Sequence, residues 1–214
     1  GFNFMDFSSN SVLVTPLRIK DDVICELEYN LLLYYTGKSR LSGNIIESQI
    51  KNVHDERKES LEGMHQLKAQ AIEMKNALLT GNPRGFGKLL DDAWKSKKKM
   101  ASEITNPIID EMYAEAIKAG ALGGKVSGAG GGGFMIFYCD NGMRHKVAAR
   151  LEQLGGEVVD FDFEKFGARS WRVREYREVP ILRPGEAFGT ESGVPGFERG
   201  EKQNNKNRTA PGAE

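Results

Sequence analysis

Two cysteines, three histidines and two tryptophans are all that the 214 residues contain of those types, and no charge of either sign dominates. Cys25 and Cys139 both fall inside apolar, strand-like patterns and lack metal-ligand spacing. Buried, reduced thiols in a cytoplasmic protein are the simplest account of them. His54, His65 and His145 lie on helical segments without partners at zinc spacing, so no metal ligand is expected among them. Glu47, Asp55, Glu56 and Glu59 read as surface charges. Lysine plus arginine balance aspartate plus glutamate at 30 each. That balance gives no electrostatic bias towards nucleic acid and makes a small-molecule partner the natural one. No apolar run is long enough to span a bilayer, so no membrane partner is expected. The chain is long enough to bury a sizeable core, as one domain plus remnants of another.

Glycine is what the sequence has in excess, with 25 in all. The stretch "GALGGKVSGAGGGGFMIFYC" places eight of them between Gly120 and Gly133. Gly128, Gly130 and Gly133 match G-x-G-x-x-G, but the dinucleotide fingerprint needs a strand before the glycines and a helix after them. Here a helical pattern from Pro107 to Lys118 comes first, and the apolar run Phe134 to Cys139 that follows reads as a buried strand. A P-loop fails as well, because Lys125 precedes the glycines and no Gly-Lys-Ser/Thr follows them. A tight helix-to-strand connection would be served by one or two glycines. A run of four plus Gly128 costs about 0.5–1 kcal/mol per residue relative to alanine, which favours a bare backbone nest whose N–H groups meet an anion.

The rest of the chain supplies a frame. Phe2 to Phe7 and Ser11 to Leu17 read as a hairpin around Ser8-Ser9-Asn10, and Val23 to Tyr35 as a longer strand pattern, interrupted at Tyr29-Asn30. Helical spacing starts at Ser42 with Ile45, Ile46, Gln49, Ile50 and Val53. It continues in a longer helix through Leu61, Met64, Leu67, Ala71, Met74 and Leu78, stopped by Thr80-Gly81-Asn82-Pro83. Phe86, Leu89, Leu90 and Trp94 form the next apolar face, and Asn106-Pro107 opens the helix before the glycines. Beyond them, Met143 to Leu154 is helical, and Val158 to Phe163 and Ser170 to Val173 alternate like strands. From about Glu178 the sequence loses its apolar content, and a disordered tail over 178–214 is expected.

A second candidate site is Thr36-Gly37-Lys38-Ser39-Arg40, where a strand gives way to a helix. Backbone amides, two hydroxyls and a guanidinium converge there on one anion, or else the segment is an ordinary helix cap with a surface arginine. Lys95, Lys97, Lys98 and Lys99 form a cationic run able to attract a phosphorylated substrate, although such runs are usually solvated faces.

Lys125-Val-Ser-Gly-Ala-Gly-Gly-Gly-Gly-Phe134 resembles the third, C-terminal signature of the GHMP kinases. Together with "GFNFMDFSSNSVLVTPLRI", "YYTGKSRLSGNIIESQ" and "NPIIDEMYAEAIKAGALGGKVSGAGGGGFMIFY", the resemblance is to the sugar kinases that act on D-glycero-D-manno-heptose 7-phosphate at the anomeric position, from Gly1 to about Val173. It implies an α+β fold, a ferredoxin-like C-terminal domain with inserted helices over 21–177, preceded by remnant strands of an N-terminal domain over 1–20. It implies ATP and Mg²⁺ as cofactors of the complete enzyme. Ser127, Gly128, Ala129, Gly130, Gly131 and Gly132 bound the phosphate, and Thr36, Gly37, Ser39 and Arg40 grip the sugar phosphate. The family's earlier Pro-x-x-x-Gly-Leu-Gly-Ser-Ser-Ala loop and its Asp-Gln segment are not in this chain. A C-terminal fragment is therefore expected, with no catalytic base and no phosphoryl transfer on its own. A homo-oligomer or a separate N-terminal chain stays open as a partner arrangement. Two rivals remain, another GHMP kinase of galactokinase or mevalonate type, and a non-catalytic binding or assembly module.

Overall fold

A computed structural model describes residues 1–37, 42–140 and 142–173. Gly1–Arg169 form one compact unit, and a second begins at Ser170. The tail expected from residue 178 lies outside the described residues.

Strands β1 (Asn3–Phe7) and β2 (Val12–Pro16) pair antiparallel in the register Asn3↔Pro16 to Phe7↔Val12. Ser8 closes their turn by donating its N–H to the Ser11 carbonyl at 2.9 Å. The hairpin is the expected one, and most of its residues are exposed.

The segment read as a long strand from Val23 divides instead into helix α1 (Asp21–Asn30) and strand β3 (Leu31–Tyr35). Val23, Ile24 and Leu27 are buried, at the i, i+1, i+4 spacing of one helix face. The Leu27/Glu28/Tyr29 alternation that suggested a strand arises from two exposed polar positions beside that face. Cys25 consequently sits on the outer side, exposed, whereas Cys139 is buried as expected. Burial pushes the Cys139 thiol up to about 12, so it is inert as a nucleophile.

Helices α2 (Ser42–His54), α3 (Lys58–Leu79), α4 (Pro83–Lys98) and α5 (Pro107–Ala119) follow the expected pattern. Pro83 and Pro107 stand at first-turn positions behind asparagine caps. The Asn82 side chain accepts from the Gly85 N–H, and that of Asn106 accepts from Ile108 and Ile109. Gly120, at φ 116°, ends α5 in the left-handed region. Strand β4 (Ala121–Val126) then precedes the glycine loop, and β5 (Phe134–Cys139) follows it. The loop is therefore a strand-to-strand connection, not the helix-to-strand one expected. Helix α6 (Arg144–Glu152) and the short β6 (Glu157–Val159) complete the unit. Residues 160–163 pair with no strand, and 170–173 are neither helix nor strand. The alternation in 160–163 reflects Phe161 and Phe163 packing on the core without a ladder, whereas Trp171 and Val173 are exposed.

The antiparallel sheet has the order β4-β5-β3-β6. Its pleat separates two buried clusters. Leu32, Tyr34, Met135, Phe137 and Cys139 pack with Ile109, Met112 and Ala116 of α5 and Val147 and Leu151 of α6. Leu31 and Tyr138 pack with Leu27, Leu78 and Leu90. Each such side chain contributes about 1.5–3 kcal/mol on burial.

Strand β4 escaped the sequence reading because Gly123 and Gly124 have poor strand propensity. Their reason is contact: a Cβ on Gly123 would lie 2.3 Å from the Gly87 carbonyl oxygen and 2.9 Å from the Asp91 nitrogen, both on α4. At Gly87 a Cβ would strike the Tyr138 ring at 2.5 Å. Helix α4 thus touches β4 backbone to backbone.

Two substitutions separate this contact from glycine's general cost. Gly123→Ala should lose about 2–3 kcal/mol in urea denaturation, because α4 must move away. Gly43→Ala, on α2 with nothing within 4 Å of the added carbon, should gain about 0.5 kcal/mol.

Candidate functional site

The loop Ser127 to Gly133 is closed at its base by the Ser127 N–H donating to the Phe134 carbonyl at 2.8 Å. Gly128, Gly130, Gly131, Gly132 and Gly133 have φ of 74°, 124°, 75°, 143° and 84°. Four successive residues in that region admit essentially only glycine. Ser127 and Gly128 are exposed, Ala129 and Gly132 half-buried, and Gly130 and Gly131 buried.

Two anchors hold this backbone. On one side the Gly131 N–H donates to the Ile104 carbonyl at 2.8 Å, in a 3-10 turn spanning Ser102–Ile104. A Cβ at Gly130 would sit 2.6 Å from that same oxygen. The Asn106 amide, whose oxygen caps α5, donates to the Gly131 carbonyl at 3.4 Å. On the other side Thr36 takes both polar groups of Gly133. Its N–H and hydroxyl donate to the Gly133 carbonyl at 2.9 and 3.0 Å, and the Gly133 N–H donates to the hydroxyl at 3.1 Å. The amides of Gly128, Ala129 and Gly132 have no hydrogen-bond partner among the described residues, whereas that of Gly130 closes a tight turn on Ser127. Unbonded backbone amides gathered in one short loop are the chemistry that accepts phosphate oxygens.

The two stretches singled out in the sequence therefore meet, through Thr36 and Gly133. Gly37 continues from Thr36 with φ 74°. Ser39 and Arg40, with Lys38 between them and Gly37, lie outside the described residues.

Two lysines complete the surroundings. From the last turn of α4, the Lys97 ammonium donates to the Gly128 carbonyl. Lys125 is the penultimate residue of β4 and is half-buried. Burial, and secondarily the Lys125 charge, draws Lys97 down to about 8, and burial also lowers Lys125. Beneath them Tyr113 of α5 donates to the Asp91 carboxylate at 2.5 Å, tying α5 to α4. Burial and that carboxylate push the Tyr113 phenol far above its ordinary range.

Lys97 was one member of a run in the sequence, and Lys125 only a position that excluded a P-loop. No periodicity distinguishes them. The partial signal was Asp91 four residues before Lys95, which marks Lys95 as paired and leaves Lys97 without such a partner.

Among known proteins, residues 74–156 match the family "GHMP kinases C terminal". The D-glycero-alpha-D-manno-heptose 7-phosphate kinase of Campylobacter jejuni is 41% identical over 174 residues, which are 81% of this chain and 51% of that protein. The chain spans about half the length of that relative. A solved sugar kinase structure from Campylobacter jejuni superposes with a TM-score of 0.61 at 38% identity, covering 81% of this chain and 48% of that one. A D-glycero-D-manno-heptose 1-phosphate kinase from Bacteroides thetaiotaomicron gives 0.53 at 31% identity, over 76% and 42%. The mevalonate kinase of L. major, at 14% identity and a TM-score of 0.60, shares the fold alone. Mixed helix and sheet, the clasped glycine loop and these likenesses agree, and the chain belongs to the GHMP kinases, carrying their C-terminal domain.

Proposed function

We propose that this chain is the C-terminal part of an ATP-dependent kinase that phosphorylates D-glycero-D-manno-heptose 7-phosphate at its anomeric hydroxyl. The observation that carries the reading is the run of left-handed glycines held between Thr36 and Ile104, in a loop with three amides unbonded. Such a surface is preorganised for charge that builds on a phosphoryl group in flight, so no reorganisation is required at the moment of transfer. The printed name of the Campylobacter jejuni relative supports the choice of sugar.

In this reading Ser127, Gly128, Ala129, Gly130, Gly131 and Gly132 bound the phosphate, while Thr36, Gly37, Ser39 and Arg40 border the sugar phosphate. The sugar oxygen attacks the γ-phosphorus in line as the bond to the β-γ bridging oxygen breaks, and ADP leaves. The base that takes the hydroxyl proton belongs to sequence outside this chain, so the chain alone should not turn over. Residues 1–20 belong with that N-terminal part, residues 21–177 form the C-terminal domain, and the complete enzyme works in the cytoplasm. Among the described residues no cluster of three or more His, Cys, Asp or Glu could hold a metal ion. In the complete enzyme Mg²⁺ would screen the charge of the nucleotide phosphates.

ADP release by the complete enzyme, followed with heptose 7-phosphate, L-fucose, galactose and mevalonate, tests the reading. Turnover should require heptose 7-phosphate, with a new anomeric phosphate in the ³¹P NMR spectrum; preference for any other acceptor refutes the assignment. Thr36→Val removes the hydroxyl that holds Gly133 and should lower kcat/KM about tenfold or more, a loss of one hydrogen-bonded positioning group. Thr36→Ser keeps the hydroxyl and should retain most of the activity.

A further inference from the structure

Among the described residues, three of the four lysines at the end of α4 and its cap have a carboxylate partner. Lys95 lies 2.6 Å from Asp91, Lys98 3.4 Å from Asp110, and Lys99 3.2 Å from Glu62. Lys97 pairs with no carboxylate among the described residues and donates a hydrogen bond to a backbone carbonyl of the glycine loop. Lys125 on β4 lies near enough for its charge to act on Lys97, and it has neither ion pair nor side-chain hydrogen bond among the described residues.

The elements packed against the end of α4 carry several charged groups: Asp92 of α4 lies 3.8 Å from Lys95, and Glu103 of the 3-10 turn accepts from Ser48 and Ser102. From β4 there is Lys125, of like sign; from α4 itself, Asp91 is taken by Lys95 and Tyr113. Asp110 on α5 is taken by Lys98 and Thr105, and Glu62 on α3 by Lys99 and Gln66. Two partly desolvated ammonium groups beside one another, with each nearby carboxylate already engaged, are an unfavourable arrangement in the empty protein. Facing a loop of unbonded amides, they lack only an anion.

We propose that Lys97 and Lys125 form a two-lysine clamp for a phosphate group at the Ser127 to Gly132 loop, with Lys97 exchanging the Gly128 carbonyl for a phosphate oxygen. The role deepens the kinase reading and rests on it. It places an anion-binding residue on α4, outside the glycine signature. The exchange also frees the Gly128 carbonyl, so ligand binding is coupled to the end of α4.

The clamp has a pH signature. Lys97 stands near 8 in the free protein, and a bound anion favours its charged form. Binding above that pH therefore takes up a proton, and affinity falls as pH rises through 8. Stability runs the other way. The folded value lies below the 10.5 of an ordinary lysine, so the unfolded chain holds more protons between those values and the fold gains stability as pH rises from 8 to 10.5.

The test is an NMR titration of the 214-residue chain with inorganic pyrophosphate, following the amides of Gly128 to Gly132 at about pH 7 and pH 9. ATP and heptose 7-phosphate are run in parallel arms. Lys97→Met and Lys125→Met should each weaken pyrophosphate binding about tenfold to a hundredfold, the scale of one charge-assisted hydrogen bond. Lys97→Arg should bind at both pH values with a smaller fall in affinity from pH 7 to pH 9 than the parent, while Lys88→Met, on an exposed position of α4, should match the parent. Whichever natural ligand loses affinity in Lys97→Met supplies the phosphate. Lys97→Met should melt no lower than the parent at pH 7, separating lost binding from lost folding. Absence of any shift with pyrophosphate, or equal affinity of Lys97→Met and parent, overturns the clamp. Sugar phosphorylation with ordinary Lys97→Met affinity removes the clamp alone. Lys97-dependent binding in a complete enzyme that phosphorylates no sugar removes the kinase reading alone.

Discussion

The contact between α4 and β4 is the constraint on which the rest of the site depends. Gly87 and Gly123 meet where neither position has room for one more carbon. That close approach fixes the height of α4 over the sheet, and so delivers Lys97 to the Gly128 carbonyl at one end of the loop. The Tyr113–Asp91 hydrogen bond ties α5 to the same helix, and Asn106 at the start of α5 reaches Gly131. Helix packing and loop geometry are therefore one structure. Shifting α4 outward would move the lysine and disturb the loop's surroundings together.

A backbone of consecutive left-handed glycines is costly to order, because glycine loses more freedom on folding than any other residue. The fold offsets this by fastening the loop from both sides, with Thr36 from the central strand β3 and Ile104 from the 3-10 turn. What remains unbonded between these anchors is a short row of amides. Rigid anchors around unbonded donors are the arrangement in which an electrostatic site is worth most, since nothing has to reorient when charge arrives.

Much of the fold was legible because long amphipathic helices announce themselves. The faces of α3 and α4, the Asn-Pro openings at Asn82-Pro83 and Asn106-Pro107, and the apolar run of β5 are local signals with local causes. The misreadings have a common origin. Val23 to Tyr29 alternates like a strand only because Glu26 and Glu28 flank Leu27, and its helical state is decided by what buries Val23, Ile24 and Leu27. Strand β4 looks like loop because its glycines answer to α4, a partner distant in sequence.

The sequence by itself determined the composition class, the helices from α2 onward, the hairpin and the glycine signature, since each follows from residue spacing and backbone freedom within a few turns of chain. Only the tertiary structure decided that three of the eight glycines between Gly120 and Gly133 serve a helix end and strand packing rather than the loop. It alone brought Thr36 to Gly133 across 97 positions. And it alone distinguished Lys97 from three neighbouring lysines of the same charge, because which cation lacks a carboxylate depends on the helices that pack around it, and a one-dimensional charge run carries no record of that.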